Sequence, residues 1–220
     1  MNALPKPSHR RERRKHERPG ELLQAALELF VEKGFAATRV EEVALRAGVS
    51  KGTLFLYYDS KEELFKAVIQ ANLTPHIIAW DQEIEQFQGS TADMLRYGLG
   101  SWWERIGNTT AGGLTKLVMS EASNFPEVAA FYREQVVRPG QALLQRMLQR
   151  GVQTGEFDPM DVQMGSLSLM SAMVFLMMWR HSMSGCTPGP DFDPRAFLMS
   201  HLEHLLKGWA AAVPPGKGHA

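Results

Sequence analysis

Thr38–Leu64, TRVEEVALRAGVSKGTLFLYYDSKEEL, reads as two short helices joined by a tight turn and followed by the capped start of a third helix. The turn centres on Gly48, and Ala44, four residues earlier, is small enough to let the two helices cross closely. Val40, Val43, Ala47, Val49 and Leu54 supply the apolar seam between them. Lys51, Thr53, Phe55, Leu56 and Tyr57 are left outward on the second helix, and Arg39, Ser50 and Gly52 complete a candidate surface for meeting a DNA groove. Ser50 suits an N-cap, and Thr38 with Glu41 and Ser60 with Glu63 have the spacing of capping boxes.

Two residues beside this seam have the chemistry of phosphate ligands. Thr38 would combine a hydroxyl with the free amides and positive dipole end of a helix start. Lys61 sits in the first turn of the third helix, where a cation opposes the dipole unless an anion lies nearby. Outward from here the pattern stays helical. Leu22, Leu23, Ala26, Leu27 and Phe30 recur at helical spacing, predicting a helix that starts near Arg18 or Pro19 and stops at Gly34. After Ser60 a long helix carries Leu64, Phe65, Val68, Ile69 and Leu73, with Pro75 as a kink or end.

Charge is unevenly placed. The chain of 220 residues has 24 Lys or Arg and 24 Asp or Glu, a net charge of zero. Residues 1–18 hold seven Lys or Arg against Glu12 and Glu17, and the first 60 residues hold eleven against eight acids. A basic head on an acidic body suits one end that meets phosphate and another that does not. The expected organisation is a flexible basic arm at 1–15, a helix-turn-helix head at 16–76, a helical body at 77–212 and a disordered tail at 213–220. Beside a DNA-binding head, such an arm is expected to track the minor groove.

The body reads as all-α. Helices are expected at about 92–106, 114–123, 126–151 with a bend at Pro139-Gly140, 160–183, and 193–212 behind the N-cap pair Asp193-Pro194, giving about nine in the whole chain. The single cysteine, Cys186, excludes an intrachain disulfide and fits a reducing cytoplasmic compartment. The charged N-terminus lacks the apolar core of a signal peptide, and the longest apolar run, Ala172–Trp179, is shorter than the ~18–20 residues of a membrane span.

The run from Gly34 through Thr38, Ala44, Gly48-Val49-Ser50-Lys51-Gly52-Thr53-Leu54 and Tyr57 to Ser60-Lys61-Glu62-Glu63-Leu64 resembles the signature of the TetR (tetracycline-repressor) family of bacterial transcription regulators. The likeness is close from about Arg18 to Leu73. It departs at Phe55, where members often have tyrosine, and at Tyr58, where they often have phenylalanine. The resemblance implies a homodimer that places a short recognition helix of each subunit in successive major grooves of a palindromic operator. It also implies a C-terminal domain that binds a small molecule and alters the spacing of the heads, and it makes Thr38 and Lys61 phosphate contacts.

Nine of twelve methionines fall between Met147 and Met199, and the tryptophans at 80, 102, 103, 179 and 209 all lie in the body. Thioethers and aromatic faces suit a pocket for an apolar or aromatic effector, with Trp102, Trp103, Met119, Phe131 and Tyr132 as candidate wall residues. Packed core is the competing explanation for most of these side chains. The helix at 160–183 is apolar nearly all round, which asks for burial on several faces. Leu167, Met170, Ser171, Val174 and Met178, with Phe197, His201 and Leu205 of the last helix, are therefore candidates for a four-helix dimer interface.

His201 and His204 are three apart on a helix near Glu203, but no third ligand at defined spacing supports a metal. No nucleophile elbow, phosphate-cradling glycine loop or paired catalytic carboxylate stands out, so neither an enzyme nor a cofactor is expected. The leading expectation is a ligand-released repressor in the cytoplasm, with no membrane partner. A ligand-independent regulator or activator, and a lipophile-binding protein or enzyme with a vestigial helix-turn-helix, are the alternatives.

Overall fold

The computed structural model describes residues 8–183 and 191–211, with side chains from Pro19 onward. The first half of the basic arm, Cys186 and the tail at 213–220 lie outside the described residues, as does most of the loop before Asp193. Eleven α-helices follow in order: α1 Ser8–Lys33, α2 Val40–Arg46, α3 Lys51–Phe55, α4 Lys61–Asn72, α5 Thr74–Glu85, α6 Thr91–Trp102, α7 Gly113–Glu121, α8 Pro126–Tyr132, α9 Arg138–Thr154, α10 Val162–Met178 and α11 Pro194–Trp209. Wider π turns extend α6 over Trp103–Gly107, join α8 to α9 over Arg133–Val137 and extend α10 over Trp179–Met183. Counted as continuous helical paths, with α4–α5 and α8–α9 each as one, the described residues form the nine segments expected of an all-α chain.

The first helix begins ten residues ahead of the predicted start near Arg18, so the backbone from Ser8 through the second half of the arm is helical. Arg, Glu and Lys are strong helix formers, and they outweigh the single backbone donor that Pro19 removes. A bend is expected at Pro139-Gly140; the α pattern gives way in a π turn at Arg133–Val137, immediately upstream, and Pro139 falls in the first turn of α9. Pro139 has no N–H for the carbonyl four residues back, and the turn before it widens.

Four helices form the head. Leu22, Ala26, Phe30, Leu54, Leu64 and Val68 are fully buried, and Phe30, Phe35 and Phe65 stack at 5.0–5.6 Å between ring centroids. Burying each of the leucine, valine and phenylalanine side chains contributes about 1.5–3 kcal/mol. In the body, α10 packs on α7, α9 and α11, while α6 packs on α9 and α11. Gly165, Leu169, Ala172 and Leu176 form the buried stripe of α10. The stretch Val162–Met183 is long and apolar enough to cross a membrane by length and composition. It packs against three neighbouring helices of the body and keeps one face exposed.

Head and body are joined by contact as well as by chain. α1 packs on α7, and α4 packs on α8 and α5. Phe35, after α1, meets Phe125, before α8, edge to face at 4.5 Å.

Candidate DNA-contact surface and effector cavity

The turn of the helix-turn-helix is built as its residues predict. Gly48 adopts φ +68°, a left-handed conformation that a side chain disfavours, and the Val49 amide donates to the Ala44 carbonyl at 2.9 Å. Val43, Ala44 and Leu54 are buried in the seam. Ser50 caps α3 by accepting from the Thr53 amide at 3.1 Å, and its hydroxyl also meets the Thr53 hydroxyl at 2.9 Å. Lys51, Gly52, Phe55 and Leu56 are exposed, with Thr53 and Tyr57 half-buried beside them. Leu56 is 83% exposed, an apolar group facing solvent with nothing among the described residues to cover it. Leu45 of α2, which the sequence did not single out, is also 80% exposed. Only an outward count of the α2 heptad would have revealed it.

Lys51 is not a free cation. Its ammonium lies 2.5 Å from a Glu41 carboxylate oxygen and 5.7 Å from the Phe55 ring centre. The Lys51 contact comes first among the causes that hold the Glu41 carboxyl below its ordinary range. The ammonium has two further donors, so a phosphate or base acceptor taken by Lys51 would share it with Glu41 or displace that carboxylate.

Two expected phosphate ligands are placed otherwise. Thr38 is only 2% exposed, and its hydroxyl lies 2.7 Å from the Gly34 carbonyl and 3.1 Å from the Leu29 carbonyl, as donor. It ties the α1–α2 connection down from inside. The N-cap of α2 is Arg39, whose amide donates to Glu42, so the capping box lies one residue beyond the Thr38–Glu41 pair. The Lys61 ammonium donates to the carbonyls of Phe35, Ala36 and Thr38 at 2.8, 3.2 and 3.2 Å, and sits 4.5 Å from the Phe35 ring centre. Those three oxygens offset the cost of a lysine in the first turn of α4. Arg39 stays exposed.

The body encloses a cavity of about 390 Å³. Its walls are Leu73 at the end of α4, Ile77, Trp80 and Ile84 of α5, Leu99, Trp102 and Ile106 of the α6 path, and methionines 147, 170, 173 and 177. Of the five sequence candidates, Trp102, Met119 and Tyr132 line it. Trp103 and Phe131 do not. Trp103 is buried against the close turn at Gly107, and Phe131 lies under the Lys66 ammonium at 5.8 Å. They are neighbours of lining residues in the chain, but helical rotation turns them elsewhere.

Polar groups in the wall are few. Trp80 donates its indole N–H to Ser101 at 2.9 Å. Thr115 and Tyr132 share one hydrogen bond of 2.6 Å between their hydroxyls, and burial pushes the Tyr132 phenol up to about 12. Arg133 is the single charged lining residue.

The face of α10 away from its buried stripe carries Met164, Leu167, Ser171 and Phe175, all exposed. Leu167 and Ser171 were expected there, whereas Met164 and Phe175 were not singled out. Met170 and Val174, expected at an interface, are half-buried and line the cavity; Met178 is also half-buried. Phe175 lies 5.4 Å from Phe197, and Phe197 stacks on His201 at 6.4 Å. The His201 ring nitrogen meets the Ser168 carbonyl at 3.1 Å. Leu205 is half-buried on the same helix. No group of three or more His, Cys, Asp or Glu able to hold a metal occurs among the described residues.

Residues 22–68 match the family model for bacterial regulatory proteins of the tetR family, and residues 88–196 match that for the tetracyclin repressor-like C-terminal domain. The chain belongs to the TetR family. YfiR, an HTH-type transcriptional regulator of Bacillus subtilis, is 29% identical over 152 residues, which are 67% of this chain and 71% of YfiR. FasR, an HTH-type transcriptional activator of Mycolicibacterium smegmatis, is 49% identical over 57 residues, 26% of either chain. The fatty acid degradation regulator FadR of Bacillus halodurans superposes at a TM-score of 0.71 and 19% identity, covering 92% of this chain and 97% of that one. FadR of Bacillus subtilis, in complex with stearoyl-CoA, does so at 0.69 and 19%, covering 86% and 98%. These structures share the fold of this TetR-family chain, a DNA-binding transcription regulator.

Proposed function

We propose that this TetR-family regulator is a homodimeric repressor that holds a palindromic operator through the α3 faces of two heads and is released by an apolar or aromatic small molecule in the body cavity. The observation that carries the reading is where the cavity lies. Its wall includes Leu73, at the end of the helix whose first residue, Lys61, holds the α1–α2 connection. α4 is 12 residues long, so Lys61 and the cavity wall at Leu73 stand about 18 Å apart along one rigid rod. α7 supplies Thr115 and Met119 to the wall and packs on α1.

A ligand that spreads this wall displaces helices that carry the head. Operator half-sites match only one separation of the heads, so a small tilt at the cavity weakens binding. The energy available is the difference in ligand affinity between the two spacings. The apolar stripe of Leu167, Phe175 and Met164, continuous with Phe197 on α11, supports dimerisation through α10 and α11. The stearoyl-CoA bound by Bacillus subtilis FadR supports an apolar effector for a body of this shape. DNA as partner supports a cytoplasmic location.

The test is selection of fragments from sheared genomic DNA by the purified full-length chain, with its mass measured in parallel by sedimentation. The reading expects a dimer and an enriched inverted repeat. A monomer at micromolar concentration, or no enrichment over bulk competitor, overturns it. Placing the enriched site ahead of a reporter separates a repressor from an activator by the sign of the change.

A further inference from the structure

We infer that the effector is an amphipathic organic anion, with its apolar body in the cavity and its oxygen-bearing head held by the Thr115–Tyr132 hydroxyl pair and Arg133. The inference rests on the effector-release reading above and specifies the ligand of that same cavity.

The hydroxyl pair comes first. Two hydroxyls carry two protons, and the 2.6 Å contact between them uses one. No acceptor for the other proton occurs among the described residues, although Thr115 and Tyr132 are only 5% and 7% exposed. A buried donor without a partner is costly, and a ligand oxygen in the cavity would satisfy it. Tyr132 stays a donor at every physiological pH, because burial holds its proton on.

Charge comes second. Arg133 follows Tyr132 in the chain and lines the same cavity, with its side chain 62% exposed. Arg133 and Arg138 both pair with Glu134, at 3.2 and 2.7 Å. Two guanidinium groups on one carboxylate leave one positive charge in excess. Arg133 also begins the π turn Arg133–Val137, and such turns recur at functional sites. The π turn sets Arg133, Val136 and Val137 on one wall. The remaining wall is mostly aliphatic, thioether and indole, which suits a ligand whose polar atoms are confined to a small part of its surface.

The experiment titrates the full-length protein with decanoate, and with methyl decanoate, which keeps the acceptor oxygens and loses the charge. Trp80 and Trp102 line the cavity, and their fluorescence reports occupancy. The acid is expected to bind about tenfold more tightly than the ester. Arg133→Met should remove that preference, Arg133→Lys should keep most of it, and Tyr132→Phe should weaken both probes alike. Equal affinity for the two probes in the unaltered protein overturns the assignment, as does a preference that survives Arg133→Met. Operator binding is read in the same samples. If the ester alone releases DNA, the anionic head falls and effector release stands. If the acid preference holds while neither probe changes operator affinity, the head stands and effector release by these probes falls.

Discussion

Replacing Lys61 by methionine separates two roles for this residue. Methionine keeps most of the apolar stem and removes the ammonium that donates to Phe35, Ala36 and Thr38. A hydrogen bond from a charged group contributes about 1.5–3 kcal/mol net, but three bonds from one ammonium replace a single hydration shell and do not add. The contact with the Phe35 ring adds about 0.5–1 kcal/mol. A loss of about 2–3 kcal/mol is therefore expected, read as a lower urea midpoint, or as a melting temperature lower by about 4–12 °C in a chain of this size. Operator affinity should fall with the less ordered head, while the slope of log affinity against log salt stays unchanged. Were Lys61 a phosphate ligand, the slope would shrink by about 0.9 per head. Unchanged stability with a slope reduced by that amount refutes the assignment of Lys61 as an internal clasp.

Other outcomes follow from the same structure. Gly151→Ala would set a Cβ 2.2 Å from the Phe157 ring, so overpacking should cost about 1–3 kcal/mol, visible as a lower urea midpoint. Phe175→Asp places a charge on the exposed apolar stripe of α10 and should shift sedimentation from dimer to monomer without lowering helicity, whereas an unchanged mass would move the interface elsewhere. His181 has a buried ring nitrogen with no hydrogen-bond partner among the described residues, and burial, followed by Arg180 and Lys116, depresses its pKa below 6.5. The unfolded chain then binds the proton more readily, so its stability contribution is present above about pH 6.5 and is lost as pH falls toward the lower folded value. His181→Asn should flatten the stability profile below about pH 6.5, ahead of the window in which Glu83, Glu156 and Glu203 titrate.

The head was legible because its constraints are local. Gly48 needs a positive φ, Ser50 and Ser60 need an amide to cap, and the seam from Val43 to Leu54 follows a helical period. The internal partners of Thr38 and Lys61 were not legible, because they are carbonyls at the end of another helix and chain spacing carries no trace of those. In the body, Tyr132 and Trp102 were found by residue type, whereas Trp103 and Phe131 show that type alone cannot fix rotation about a helix axis. The π turns at Trp103–Gly107 and Arg133–Val137 shift that rotation by part of a turn, and nothing in composition or period announces them. Arg133 went unmarked for this reason. Met170 and Val174 serve the cavity instead of the outer face because α10 is apolar on every side, and hydropathy could not choose between them.

The most direct measurement of coupling is the affinity of one selected operator for the protein free and saturated with a compound that quenches the cavity tryptophans. The two conformations must differ in affinity for both ligand and DNA, and the coupling is reciprocal. The account predicts at least a tenfold weaker operator complex at saturation, and an equal weakening of the compound by operator. Identical operator affinity at full occupancy, for every compound that fills the cavity, would contradict it.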